Sequence, residues 1–165
     1  MEKKDIIFQN DKNWPYAVMA DIWGKTLKIQ IMIEGFTVAD DELESMLRVI
    51  EKRLAFLNSA RSLVEQTLIE EDAVSMANDW AESAEPSDED DVYIMEDGTK
   101  VRLPMTEEYF LSTILIDEVA IEFTDSLEDV ETTFYVICNP DFFAGHAFEM
   151  TLDAENEIDG CLFCG

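Results

Sequence analysis

The spacing of apolar residues changes twice along the chain, and these changes limit the folds that the chain can adopt. In the run from Lys25 to Glu34, every second residue is a large aliphatic one: Leu27, Ile29, Ile31 and Ile33. A period of two is typical of a half-buried β-strand. A second strand-like run, Tyr16 to Trp23, precedes it and is separated from it only by Gly24. The sequence therefore predicts an antiparallel hairpin here.

A helical spacing follows this hairpin. From Asp40 onward the apolar residues lie at i, i+3, i+4 and i+7, as on one stripe of a helix: Leu43, Met46, Leu47, Ile50, Leu54 and Leu57. Asp41 and Glu44 resemble a capping pair at its start. We expect a break at Asn58-Ser59, then a second helix through Leu63, Val64 and Leu68, and a short third helix from Ala73 to Trp80. These helices are expected to cover one face of a sheet.

The second half of the chain returns to strand patterns. Residues 82–91 are rich in acids and contain no large aliphatic side chain, so they predict a loop. Asp97-Gly98 is typical of a hairpin turn, and Thr106 of a capped helical turn. The predicted strands are Ile114 to Thr124, Thr132 to Cys138, His146 to Leu152 and Ile158 to Phe163.

Strands, then helices, then more strands predict an α+β protein. We expect a two-layer α/β sandwich with a largely antiparallel sheet and helices on one face. The 165 residues fit a single domain. Its expected parts are the N-terminal hairpin 14–35, the helical segment 40–81, the acidic loop 82–91 and the C-terminal strands 92–165.

The charge of the chain is unusual. Thirty-eight acidic and eleven basic side chains give a formal net charge of −27. No Lys or Arg lies between Arg61 and Lys100, or after Arg102. A field of this sign repels nucleic acid and anionic membranes, so neither is an expected partner. Two interpretations stay open. The first is a surface that binds a basic protein or a cation, or that mimics DNA, and the second is a solvated surface that keeps the protein soluble.

Cysteine usage and hydropathy indicate the compartment. The three cysteines all lie after residue 137, and their odd number argues against a disulfide framework. No apolar run reaches the length of a signal peptide core or a membrane span. We expect a soluble, cytoplasmic protein, and its oligomeric state is left open.

The end of the chain gathers residues that can bind metal. Cys138, His146, Cys161 and Cys164 have the number and type of a tetrahedral zinc ligand set, so zinc is the alternative to having no cofactor. In a strand, however, Cys161 and Cys164 point to opposite faces. Leu162-Phe163 between them offers no glycine for a turn and is expected in the core.

A catalytic interpretation also centres on His146. It pairs this residue with Cys138 or with the acids Asp141 and Glu149. No nucleophile elbow, phosphate loop or His-Glu-x-x-His motif supports it, so we assign no catalytic residue. The neighbouring aromatic residues predict either a partner surface or, as we favour, a packed corner: Phe142, Phe143 and Phe148.

The stretch "PDFFAGHAFEMTLDAENEIDGCLFCG" resembles the ending of an uncharacterised bacterial family, domain of unknown function 2262, and more loosely its relative numbered 2004. The matching residues are Phe143, Gly145, His146, Glu149, Asp153, Gly160 and Gly165. The resemblance covers residues 55–165 and implies a bacterial, cytosolic two-layer sandwich. It transfers no catalytic residues, because the family has no assigned activity. Cys161 and Cys164 stand where the family pattern has ordinary strand residues.

The sequence therefore predicts a non-enzymatic binding protein. Its most specific form is an acidic, immunity-type protein that captures a basic partner, and the alternative is a zinc-dependent or hydrolytic enzyme centred on His146. The candidate binding residues are His146, Gly145, Phe143 and Glu149. A glycine beside a histidine at a strand start indicates a close backbone approach or a bulge, with the imidazole bonded to a carbonyl or carboxylate.

Overall fold

A computed structural model of the chain describes residues 1–11 and 14–165, and its main feature is a seven-stranded sheet. In spatial order the strands are β1 (Ile7–Phe8), β2 (Tyr16–Ile22), β3 (Lys25–Glu34), β7 (Ile114–Thr124), β8 (Val130–Cys138), β9 (Ala147–Leu152) and β10 (Ile158–Cys164). All neighbours pair antiparallel except β3 and β7, which pair in parallel. The predicted α+β class is confirmed, whereas the parallel pair was not predicted.

Four helices accompany this sheet: α1 (Leu43–Ser59), α2 (Arg61–Glu70), α3 (Ala73–Ala81) and α4 (Glu107–Thr113). The capping pair predicted at Asp41 and Glu44 is wrong. Glu42 occupies the N-cap of α1, and its carboxylate accepts a hydrogen bond from the Ala39 amide at 3.0 Å. The predicted cap of α4 is confirmed, because the Thr106 hydroxyl accepts a hydrogen bond from the Tyr109 amide. None of these helices is long and apolar enough to cross a membrane, as far as the described residues go.

A second, small sheet lies between α3 and α4 in the chain. Its antiparallel strands are β4 (Glu85–Pro86), β5 (Val92–Ile94) and β6 (Lys100–Arg102). The predicted turn at Asp97-Gly98 joins β5 to β6. The prediction of a loop for residues 82–91 is only partly correct, because β4 lies in it and pairs with β5. Buried Met95 and Val101 join this sheet to the main core.

The core lies between the main sheet and the helices. Alternate strand residues such as Leu27, Ile29 and Ile31 are buried, and they belong to the same apolar cluster as the apolar stripe of α1. A period of two in a strand and of 3.6 in a helix each place the apolar side chains on one side of the element. Cys138 and all three predicted corner phenylalanines also belong to this cluster.

One charged side chain lies inside this layer. Arg53 on α1 is only 4% exposed, and its guanidinium donates to the Leu152 carbonyl at 2.8 Å and to the Thr132 hydroxyl at 3.0 Å. It also donates to Asn156 Oδ1 and to the Asp153 carbonyl in the turn between β9 and β10. The arginine thus ties α1 to the last hairpin.

The opposite face of the main sheet, called the open face below, is formed by the strand residues that alternate with the buried ones. Its side chains include Met19, which is 51% exposed, and the exposed Lys28 and Glu118. Leu162 also lies here and is 64% exposed, so the prediction that it belongs to the core is wrong. Leu162 pairs with Glu149, which places both side chains on this face.

Candidate functional site

The turn that precedes β9 positions His146. The Asp141 carboxylate accepts hydrogen bonds from the Phe143 amide at 2.9 Å and from the Gly145 amide at 2.7 Å. Gly145 has a φ of +88°, which favours glycine, and nothing lies within 4 Å of the position of a Cβ there. Gly145 is therefore suited to this position by its backbone conformation. The expected close approach of another backbone segment to Gly145 is not found.

The imidazole of His146 is held on several sides. Its Nδ1 lies 2.9 Å from the Phe143 carbonyl, which confirms the expected bond to the backbone. Because a carbonyl only accepts, Nδ1 carries the proton. The ring stacks on Phe163 with a centroid distance of 5.4 Å and lies 5.2 Å from Trp80. A Cβ on Gly165 would overlap the imidazole, so this glycine also packs against it. These contacts describe a packed corner.

The structure does not bring the four predicted binding residues together. Phe143 is only 1% exposed and cannot contact a partner directly. Glu149 lies on the open face, where its carboxylate accepts a 2.6 Å hydrogen bond from the Tyr135 hydroxyl. His146 lies on the helix side of the sheet, against Trp80 of α3. The four residues are therefore divided between two faces of the sheet, and their role in binding stays a prediction.

The cysteines are also separated. Cys161 pairs with buried Met150, so it lies on the helix side. Cys164 pairs with Ala147, which is two positions before Glu149 on β9 and therefore points to the open face with it. This is the separation that strand alternation predicts. Among residues 1–11 and 14–165, no three His, Cys, Asp or Glu side chains are placed to hold a metal ion together.

The buried Cys138 is a poor nucleophile. Burial raises the pKa of its thiol to about 12, and its sulfur lies beside Thr113. Burial likewise raises the pKa of the Cys161 thiol to about 11. Since the thiolate is the reactive form, neither thiol has the environment of a catalytic cysteine. In the described chain the Nδ1 of His146 bonds to Phe143 and does not bond to Cys138.

A cleft on the open face is the other candidate site. Its floor follows from the strand register, since Gln30 of β3 is paired with Ala120 of β7, which is paired with Thr133 of β8. Two small residues in adjacent strands leave a depression between larger neighbours. The cleft has a volume of about 330 Å³.

Aromatic and acidic side chains surround this floor. Glu118 and Glu122 lie two positions before and after Ala120 on β7, so all three point to the same face. Tyr135 lies two positions after Thr133, and Trp14 lines the cleft from the segment before β2. Gln9 fixes that segment, because its amide donates to the Trp14 carbonyl at 3.0 Å and to Gln30 Oε1 at 2.7 Å.

Negative charge is crowded around the cleft. Partial burial raises the pKa of the Glu122 carboxyl, and nearby Glu34 and Glu131 raise it further. The hydrogen bond to Glu149 raises the pKa of Tyr135 to about 12. Lys28 is a nearby base on this face, and its ammonium donates to Gln9 Oε1. Strands β7 to β10 contain no Lys or Arg.

A second depression, of about 450 Å³, lies beside the turn that positions His146. Trp80, Met95 and Phe142 line it, and its charged residues are acidic as well. Its lining comes mainly from turns and the ends of elements, whereas the open-face cleft is built on three adjacent strands. Side chains on strands hold their positions better than side chains on turns, so the cleft is the better candidate site.

A family model described as "Uncharacterized protein conserved in bacteria (DUF2262)" matches residues 9–161. The chain belongs to this family. The match confirms the predicted resemblance for residues 55–161 and extends it to the N-terminal hairpin, whereas residues 162–165 lie outside the match. No curated protein matches the chain, and no solved structure does.

The DUF2262 match includes every residue of the cleft as well as His146. Patterns in the sequence do not predict the cleft, although they contain part of its signal. Gln30, Glu118 and Glu122 are the polar members of alternating runs and mark the sheet face that points away from the core. Trp14 lies outside any periodic run, and no sequence signal pointed to it.

Proposed function

We propose that this DUF2262 protein is a non-enzymatic binding protein that captures a basic protein partner, in the manner of an acidic immunity protein that neutralises a basic toxin. The observation that carries the proposal is the net charge of −27 together with a sheet face whose strands β7 to β10 contain no base. Complementary charge steers association and suppresses wrong partners.

The arrangement of the acids supports capture by a defined surface. Glu118, Glu122, Glu131 and Glu149 all lie on the open face, on three adjacent strands. A face of this kind presents fixed negative charge over a broad area. A basic protein that docks here would neutralise several of them at once.

The catalytic alternative has less support from the geometry. Cys138 is buried with a raised pKa, and the Nδ1–H of His146 is bonded to a backbone carbonyl. An oriented base needs its nucleophile within hydrogen-bond reach, and the Cys138 sulfur lies beside Thr113 instead. A binding role uses the features that the fold does provide, which are an exposed face and excess charge.

Surface plasmon resonance tests this proposal with purified basic proteins encoded beside the gene. Cytochrome c serves as a probe for nonspecific attraction between opposite charges. We expect one of the neighbouring proteins to bind more tightly than cytochrome c at physiological salt. Its association rate should fall by about 10- to 1,000-fold from low to high ionic strength. Binding that never exceeds the cytochrome c level, at any ionic strength, would overturn the proposal.

A further inference from the structure

We infer that the cleft on the open face receives an arginine side chain of the basic partner. This inference rests on the proposed function. The residues that would contact the arginine side chain are those that line the cleft: Trp14, Gln30, Glu118, Glu122, Thr133 and Tyr135.

The size of the cleft suits one long, slim side chain. Ligand pockets for whole small molecules span roughly 300–1,000 Å³, and the cleft with its about 330 Å³ lies at the lower end. Its floor of Ala120 and Thr133 lies between larger residues on both sides along the strands. A side chain that enters from a partner can therefore reach the sheet surface, whereas a bulky head group cannot.

The chemistry of the walls favours guanidinium over ammonium. Glu118 and Glu122 lie on either side of Ala120, so a cation above that residue has a carboxylate on each side. A guanidinium is planar, donates several hydrogen bonds in a fixed fork and stacks on aromatic rings. Trp14 and Tyr135 supply such rings, and the Thr133 hydroxyl supplies a further acceptor. A lysine ammonium would interact with the carboxylate charges, but it would neither stack on the aromatic rings nor donate a fork of hydrogen bonds to the paired acceptors.

Within residues 1–11 and 14–165, no Lys or Arg forms an ion pair with Glu118 or Glu122. The ammonium of Lys28 is bound to Gln9, and the ammonium of Lys25 pairs with Asp117 at 2.7 Å. Partial burial raises the pKa of the Glu122 carboxyl, and the nearby acids Glu34 and Glu131 raise it further. A cation from outside would relieve the repulsion among these acids, so charge complementarity points to a basic occupant.

Nuclear magnetic resonance of the full chain tests the inference with three short peptides of identical length. They carry a central arginine, lysine or citrulline, and citrulline has nearly the shape of arginine without its charge. The chain has three tryptophans, so the indole N–H signals form a small set. The arginine peptide should shift the Trp14 signal, while those of Trp23 and Trp80 stay in place. The lysine peptide should bind several-fold more weakly, and citrulline should cause no shift.

Two double variants with the same change in charge separate the cleft from the overall field. In the first, Glu118→Gln is combined with Glu122→Gln, and we expect affinity for the arginine peptide to fall by about tenfold or more. In the second, Asp88→Asn is combined with Asp90→Asn, two exposed acids near the small sheet. This control should stay within about twofold of the parent, because distant exposed charges are screened by salt. The peptide-free spectra show whether each variant is folded.

The outcomes distinguish this inference from the proposed function. If both variants lose the same affinity, or if lysine and arginine bind equally, the cleft does not read arginine, although general capture of basic proteins stands. If no peptide shifts the Trp14 signal while a basic protein binds in the surface plasmon resonance assay, the assignment of the cleft fails but the proposed function stands. If neither peptides nor basic proteins bind, both proposals fail.

Discussion

Replacement of Arg53 by alanine should destabilise the protein more than any change at an exposed position of α1. The guanidinium is 4% exposed and donates to acceptors on three parts of the chain. Burial lowers the pKa of this group, while the charges of Asp153, Glu131 and Glu155 raise it. An arginine remains cationic under these conditions, so its removal takes a buried charge and its hydrogen bonds away together.

The expected loss follows from the acceptors that would be left without a donor. The bonds to the Leu152 carbonyl and to the Thr132 hydroxyl are fully buried, whereas water can reach the acceptors in the turn from residue 153 to 156. A buried polar group without a partner costs about 1–3 kcal/mol. Two such groups give a predicted loss of about 2–6 kcal/mol, against a total stability of about 5–15 kcal/mol for a typical domain.

Urea unfolding followed by circular dichroism measures this loss. Arg53→Lys keeps the charge without the fork of donors and should fall between alanine and the parent. Arg48→Ala on the same helix is the matched control, because the Arg48 side chain is 68% exposed and pairs with Glu44 across one turn. It should cost less than about 0.5 kcal/mol. If Arg53→Ala cost no more than Arg48→Ala, the reasoning about buried acceptors would be refuted.

Three further predictions concern titration and reactivity. The raised pKa of Glu122 means that the folded state holds this proton more tightly, so stability is lost as pH rises from 4.5 through the raised pKa. Glu122→Gln should remove that loss in urea unfolding at several pH values, and an unchanged profile would contradict it. Tyr135→Phe should abolish a tyrosine that ionises near pH 12 in an ultraviolet absorbance titration, whereas persistence of that step would refute its assignment to Tyr135. In native protein treated with a thiol reagent, Cys138 should react only on unfolding, because it is buried with a pKa of about 12. Labelling of Cys138 as fast as Cys164, read by mass spectrometry, would show that the core opens.

The sequence predicted the elements of the fold better than their arrangement. The hairpin of β2 and β3 and the helix α1 follow from local periodicity, because each pattern repeats within a few residues. The parallel neighbour of β3 could not be predicted, since nothing local in Lys25–Glu34 specifies a partner that begins at residue 114. Leu162 misled the prediction because β10 lies at the sheet edge, where an apolar residue can point to the open face.

The candidate site was harder to predict than the fold. His146 and its bond to a carbonyl were anticipated, since a glycine beside a histidine at a strand start is a local feature. The position of Glu149 on the open face follows from alternation along β9, which separates it from His146. The cleft depends on the register between β3, β7 and β8, and cross-strand register is not visible in a single run of residues.

The single parallel pair between β3 and β7 also affects how the sheet assembles. It joins two groups of strands, and within each group every pairing is between strands that follow one another in the main sheet and in the chain. The β3–β7 pairing, called the seam below, therefore closes the longest loop in the main sheet. We expect the seam to form late in folding, because the chain from residue 35 to residue 113 must first be brought into a closed loop. The entropy of such a closure grows slowly, by about 0.6 kcal/mol for each doubling of loop length. Insertions in the exposed loops between the two seam strands should therefore be tolerated while the sheet stays the same.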